Sequence, residues 1–216
     1  FHTICEFTLY AWITYYKSHG IFFAILPIIN LLLHLDKATI SGLIATLKEG
    51  KLNSEKLLKL SEVLGEILIS QGKVFTAAES CTGGWLGKSI TSLPGSSNWF
   101  GTSFVTYSYS SKTDILGVNS EDLISFGAVD ERIASQMVSG ALKLSNADVG
   151  VAITGIAGPT GATETKPVGT VCFSWKLKGQ DSLSITEHFD GDREKVRFLS
   201  VEKALQGTIE ALKKND

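Results

Sequence analysis

The sequence predicts an α/β fold: a three-layer α/β/α sandwich around a mixed, mostly parallel five-stranded sheet. Three observations lead there. Short apolar runs bounded by turn residues recur from about residue 74 onward, and longer stretches with apolar residues at helical spacing lie between them. The last two runs are joined only by "KGQD". Alternating strands and helices build parallel pairs through crossovers, whereas so short a connection leaves room only for an antiparallel pair.

The elements follow in order. A first helix is predicted with Ser54 as N-cap, with Leu57, Leu60, Leu64, Ile67 and Leu68 on one face and Gly72 at its end. Strands are expected at 74–78, 100–107, 149–154, 168–177 and 183–189. Further helices are expected at 85–92, from an Asp130 N-cap to 144, and from an Asp192 N-cap to about 213.

A chain of 216 residues, 44% hydrophobic and 19% charged, is long and apolar enough for one sizeable core and argues against disorder. The formal net charge of -2 provides no basic face to neutralise a phosphate backbone, so nucleic acid is not an expected partner. Cys5, Cys81 and Cys172 are scattered with no CxxC pair, which suggests neither a disulfide framework nor a zinc site and fits a reducing cytoplasm.

Residues 1–50 differ in composition from 51–216, which is expected to be the functional domain. "ICEFTLYAWITYY" and "IFFAILPIINLLLHL" flank "KSHG". The second run is shorter than the roughly 20 residues needed to cross a bilayer, and Pro27 interrupts it, although the two runs together could form a hairpin-like anchor. Two readings rank above that one: translated sequence from upstream of the true start, and a terminal extension packing on the domain. No membrane partner is expected. The single methionine is Met137 and residue 1 is Phe, as in a fragment or an over-extended reading frame.

Ligands of open α/β sheets gather beyond the carboxyl ends of the strands. There the sequence places "ESCTGG", "TYSYSSK", "TGIAGPTGATETKP" and "DGDREKVR". Each alone reads as a turn; their shared position marks a site. His188 is the only histidine after residue 34, which excludes paired-histidine metal sites and leaves a Ser-His-Asp triad without an obvious partner. A P-loop is absent, and "GIAGPTG" is not GxGxxG, although its amides could cradle a phosphate. Nucleophile chemistry without histidine remains, with Glu79, Ser80 and Cys81 at a strand-to-helix join.

Amides at a helix start favour developing negative charge, and Gly83 and Gly84 let the backbone approach a bound group. Each oxyanion donor there would contribute roughly 3 kcal/mol. Cys81 is the better intrinsic nucleophile but also reads as a small buried hydrophobe. The base would be a lysine: Lys88, Lys112 or Lys166. A free lysine titrates near ~10.4, so a basic one must be held well below that by desolvation or by a neighbouring cation such as Arg193. The residues alone leave the choice among the three open.

"AAESCTGGWLGKSIT", "GSSNWFGTSFVTYSYSSKTDILGV", "GVAITGIAGPTGATETKPVGTV" and "FDGDREKVR" together resemble the CinA C-terminal domain family over about residues 57–212. Its characterised members are nicotinamide-nucleotide amidases. The resemblance implies hydrolysis of the carboxamide of nicotinamide mononucleotide to nicotinate mononucleotide and ammonia, a pyridine-nucleotide salvage step, with no cofactor and no metal. It implies Ser80 as nucleophile, Lys112 as base and Tyr107 as the residue that assists proton transfer or orients the lysine. Thr154, Gly155, Gly158 and Arg193 fall where phosphate and ribose would bind, and Thr82, Gly83 and Gly84 are expected to meet the substrate too. The family's self-association suggests a homodimer.

The chain departs from the family at Tyr109, where asparagine is usual, and "GTSF" and "GATETKP" lack glycines commonly found there. Residues 1–50 match nothing in the family. The competing function is a non-catalytic nucleotide-binding or regulatory domain linked to competence or DNA damage; another is a different amide or ester substrate on the same Ser-Lys machinery. Intact Ser80, Tyr107 and Lys112 favour the enzyme.

Overall fold

The computed structural model describes residues 37–214. The two apolar runs, the hairpin anchor drawn from them and Cys5 lie outside the described residues. Among those described, no helix is long and apolar enough to cross a membrane.

Helix α1 spans Lys37–Gln71, so Ser54 lies inside it and is not its N-cap. The reason is local: no proline lies between Lys37 and Ser54, and the good helix formers Ala, Leu and Lys recur along the run and outweigh Gly42 and Gly50. The expected apolar face holds, because Leu57, Leu64 and Leu68 are buried and Leu60 and Ile67 pack against the same core. From Leu52 onward the chain forms one compact unit that contains the sheet.

Strand β1 (Phe75–Glu79) is followed by helix α2 (Trp85–Thr91), a 3-10 turn (Ser96–Asn98) and β2 (Phe100–Val105). Next come helices α3 (Tyr109–Leu116), α4 (Ser120–Phe126) and α5 (Glu131–Ser145). Strands β3 (Val149–Gly155), β4 (Thr170–Leu177) and β5 (Leu183–His188) lead into α6 (Arg193–Lys213). Asp130 and Asp192 cap α5 and α6 as expected, accepting from the amides of Arg132 and Lys195.

The sheet is mixed, in the order β2-β1-β3-β4-β5. β1 pairs in parallel with β2 and β3, while β3–β4 and β4–β5 are antiparallel. The expectation of a mostly parallel sheet therefore needs correcting. The segment from β3 to β4 contains no helix, so β4 returns antiparallel to β3 instead of crossing over.

Successive strand residues feed two separate cores, as the period of two requires. Phe75, Ala77, Val151, Ile153, Val171 and Phe173 join buried residues of α1, α2 and α6. Ala78, Ala152 and Cys172 join those of α3, α4 and α5. The second group is tightest at Gly140 of α5, where a Cβ would overlap the Leu116 carbonyl oxygen of α3. A backbone oxygen cannot swing aside as a side chain can. Gly140→Ala is expected to cost about 1–3 kcal/mol, read as a lower urea midpoint with an unchanged m-value.

Candidate active site

β1 ends where the chemistry begins. The Ser80 amide still donates to the Ile153 carbonyl of β3 (2.9 Å), and the chain then turns back, with the Gly83 amide donating to the Ser80 carbonyl (3.0 Å). Gly83 and Gly84 have φ of 59° and 89°, a left-handed backbone that glycine adopts without steric cost. The turn is therefore compact, and Ser80 is left 8% exposed.

Glu79 holds this turn from beneath. Its side chain is fully buried at 0% exposure, and four donors converge on it. Oε1 accepts from the Gly87 amide (2.9 Å) and the Ser103 hydroxyl (2.7 Å); Oε2 accepts from the Thr82 hydroxyl (2.8 Å) and the Leu86 amide (3.1 Å). A carboxylate, acceptor-only when ionised, suits that surround. The amides of Leu86 and Gly87 in the first turn of α2 are thereby committed to Glu79, so an oxyanion would have to use amides of the turn itself.

Lys112 reaches the turn from α3. Ser108 caps that helix through a reciprocal pair with Ser111, which fixes the first turn and sets Lys112 one turn later, facing inward. Its side chain is 1% exposed. Nζ lies 3.0 Å from Ser80 Oγ, donates to the Thr106 carbonyl at 2.7 Å and approaches the Tyr107 carbonyl at 3.4 Å. Burial pushes the ammonium down from the usual lysine range to about 8. Burial also pushes the neighbouring Cys81 thiol up to about 12, so it stays protonated and reads as packing.

The other expected residues lie as follows. Tyr107 is 61% exposed, and its hydroxyl accepts from Arg193 Nη2 (3.1 Å), so its carbonyl rather than its phenol faces the lysine. Arg193 Nη1 donates to the Gly158 carbonyl (2.7 Å). The Thr82 hydroxyl is committed to Glu79, and the Thr154 hydroxyl donates to the Ala128 carbonyl (2.7 Å). Gly155 ends β3 where a Cβ would press on the Thr170 carbonyl, so it faces the sheet's own backbone. Of the other candidate bases, Lys166 donates to the Phe126 carbonyl (3.0 Å) and lies 3.9 Å from Asp130. Lys88 lines a cavity of about 630 Å³ together with Gly83, Gly84, Trp85, Arg193, Glu194 and Arg197. His188 lies 3.4 Å from Asp190 at the end of β5. Among the described residues no cluster of three or more His, Cys, Asp or Glu could hold a metal ion.

A family model for the CinA C-terminal domain matches residues 57–212. The chain belongs to that family. It is 46% identical over 155 residues to nicotinamide-nucleotide amidohydrolase PncC of Escherichia coli K12, covering 72% of this chain and 94% of that protein. To the protein of the same name from Enterobacter agglomerans it is 42% identical over 164 residues, covering 76% and 100%. Among solved structures, a competence-damaged protein (CinA) superfamily protein from Klebsiella pneumoniae 700603 superposes with a TM-score of 0.71 at 35% identity, over 73% of this chain and 98% of that one. The competence/damage inducible protein CihA of Agrobacterium tumefaciens gives 0.69 at 38% identity, over 73% and 96%.

Two residues of this CinA domain, Arg197 and Ser103, escaped the sequence reading. Arg197 donates through Nη2 to the Thr82 carbonyl (2.6 Å), and its guanidinium stands 5.5 Å over the Trp85 ring. Its signal was present, one helical turn after Arg193 in "DREKVR". Ser103, which meets Glu79, faces the site from β2 and carried no signal beyond strand alternation. Tyr109, the departure from the family, donates nothing to the site: its hydroxyl accepts from the Ala128 amide (3.2 Å) and steadies the loop whose carbonyl Thr154 also holds.

Proposed function

We propose that this CinA domain hydrolyses the carboxamide of nicotinamide mononucleotide, releasing nicotinate mononucleotide and ammonia, as the names of its amidohydrolase relatives describe for them. The observation that carries the chemistry is Lys112 Nζ, buried, 3.0 Å from Ser80 Oγ. In the forward step Ser80 Oγ attacks the carboxamide carbon and its proton passes to Lys112 Nζ. Amides of the 80–84 turn other than those of Ser80 and Gly83, which are already bonded to Ile153 and Ser80, steady the oxyanion. The C–N bond then breaks, and Lys112 returns the proton to the departing ammonia. Water attacks the acyl-serine, giving a proton to Lys112, which passes it to Ser80 Oγ as the C–O bond breaks, so the hydroxyl and the neutral lysine are both regenerated. Tyr107 serves through its carbonyl, which helps hold the amine, and through its hydroxyl, which tethers Arg193.

The wider reading joins a three-layer α/β/α domain over 51–216 to a nucleotide substrate, pyridine-nucleotide salvage in the cytoplasm and assembly as a homodimer. Incubating the purified chain with nicotinamide mononucleotide and measuring ammonia and nicotinate mononucleotide tests it directly. Equal release of the two supports the amidase, and no release overturns it.

The lysine sets the pH dependence. Only neutral Lys112 can take the Ser80 proton, so kcat/KM is expected to rise with pH, bend near 8 and level off above. At pH 7 a group titrating near 8 is neutral in about one molecule in ten, roughly 200 times more often than an ordinary lysine. A profile that is flat from about pH 6.5 to 9 would count against Lys112 as base.

A further inference from the structure

The cavity beside the turn has a charge that the mechanism leaves unexplained. Three cations, Lys88, Arg193 and Arg197, line its volume of about 630 Å³ against a single carboxylate, Glu194. The Arg193 fork is tied to the Gly158 carbonyl and the Tyr107 hydroxyl, so it acts as a brace between two loops. Arg197 and Lys88 are arranged differently. Arg197 is held by its one bond to the Thr82 carbonyl and by the Trp85 ring, which fixes the plane of the guanidinium at the cavity wall. Its approach depends on Gly83, where a Cβ would stand 3.2 Å from Arg197 Nη2. Lys88 is exposed, and its amide bonds the Gly84 carbonyl (2.9 Å), which sets it one helical turn beyond the glycines and on their side of α2.

Bare glycine backbone flanked by a fixed guanidinium and an exposed ammonium is a receptor for a compact oxyanion. The Ser80–Gly83 turn joins this wall directly to the nucleophile. We infer that Lys88 and Arg197 form the subsite for the phosphate monoester of the substrate, which makes the enzyme selective for a nucleotide over its nucleoside. The inference rests on the amidase reading and identifies the substrate feature that the cavity recognises. Thr154 and Gly155, whose polar groups are held within the protein, are not needed for it.

The test uses the full chain and two substrates, nicotinamide mononucleotide and nicotinamide riboside, with inorganic phosphate as a separate binding probe. Lys88→Gln, an exposed change, is expected to lower the ratio of kcat/KM for mononucleotide over riboside about tenfold, the size of one charge-assisted contact, through KM. Arg197→Lys should lower the same ratio. Calorimetric titration should show inorganic phosphate binding more weakly to Lys88→Gln than to the wild type. An unchanged ratio, or equal phosphate binding by both proteins, overturns the subsite. Failure of the amidase reading shows differently, as a wild type that releases no ammonia from either substrate, and the phosphate titration still decides the subsite in that case.

Discussion

Lys112→Met is expected to reduce ammonia release from nicotinamide mononucleotide about a thousandfold while leaving the fold intact. General-base catalysis contributes roughly 10²–10⁴ in rate, and among the described residues Lys112 is the lysine bonded to Ser80 Oγ, whereas Lys166 is bonded to Phe126 and Lys88 lines the cavity wall. Methionine matches the length of the lysine stem, so no cavity opens at this 1% exposed position. Two effects on stability then oppose each other. The Thr106 and Tyr107 carbonyls lose a donor, costing about 1 kcal/mol, while a cation that burial disfavours is removed. Stability should therefore stay within about 1 kcal/mol of the parent, a combination that a purely structural lysine would not give. Activity within tenfold of wild type, or loss of activity together with loss of the cooperative unfolding transition, would contradict the assignment.

That Lys112, rather than Lys88 or Lys166, lies beside Ser80 is a matter of tertiary placement that residue patterns do not carry. The strands were legible because apolar runs bounded by turns have few other readings, and the aspartate caps at 130 and 192 were legible because each precedes an amphipathic helix. The convergence of the segments after β1 and β2 was legible too: the two strands are parallel and in register at Glu79 and Val105, so the segments that follow them leave the sheet at the same edge. Helix α3 was not. "SYSSKTDIL" has weak helix preference and reads as a loop, and it becomes a helix through the Ser108–Ser111 capping pair and the burial of Lys112 and Leu116. That helix is what aims Nζ at Ser80. Helix α4, capped by Asn119, was missed because seven residues are too few to show a helical period. The start of α1 was misplaced because Ser54 has the chemistry of a cap without the chain break that would make it one.

Glu79→Gln should injure both stability and turnover, and its pattern separates two roles for this carboxylate. Each oxygen accepts one hydroxyl and one amide: Ser103 and Gly87 on Oε1, Thr82 and Leu86 on Oε2. Glutamine replaces one oxygen by an NH₂ group. Whichever way it is turned, the facing hydroxyl can rotate to accept, but the facing backbone N–H cannot, and two donors oppose each other in a fully buried place. Leaving buried donors unsatisfied costs about 1–3 kcal/mol each, so a loss of roughly 2–4 kcal/mol is expected in urea unfolding. The strain falls on the turn that carries Ser80. A displacement of about 1 Å there can cost about a hundredfold, so kcat should fall by that order with KM little changed. Because Glu79 acts on the turn and α2 and makes no contact with the lysine, the bend in the pH profile near 8 should persist in the variant. A bend that moves would mean that the carboxylate tunes Lys112 itself. A stable, fully active variant would mean that the four bonds to Glu79 hold nothing the reaction needs.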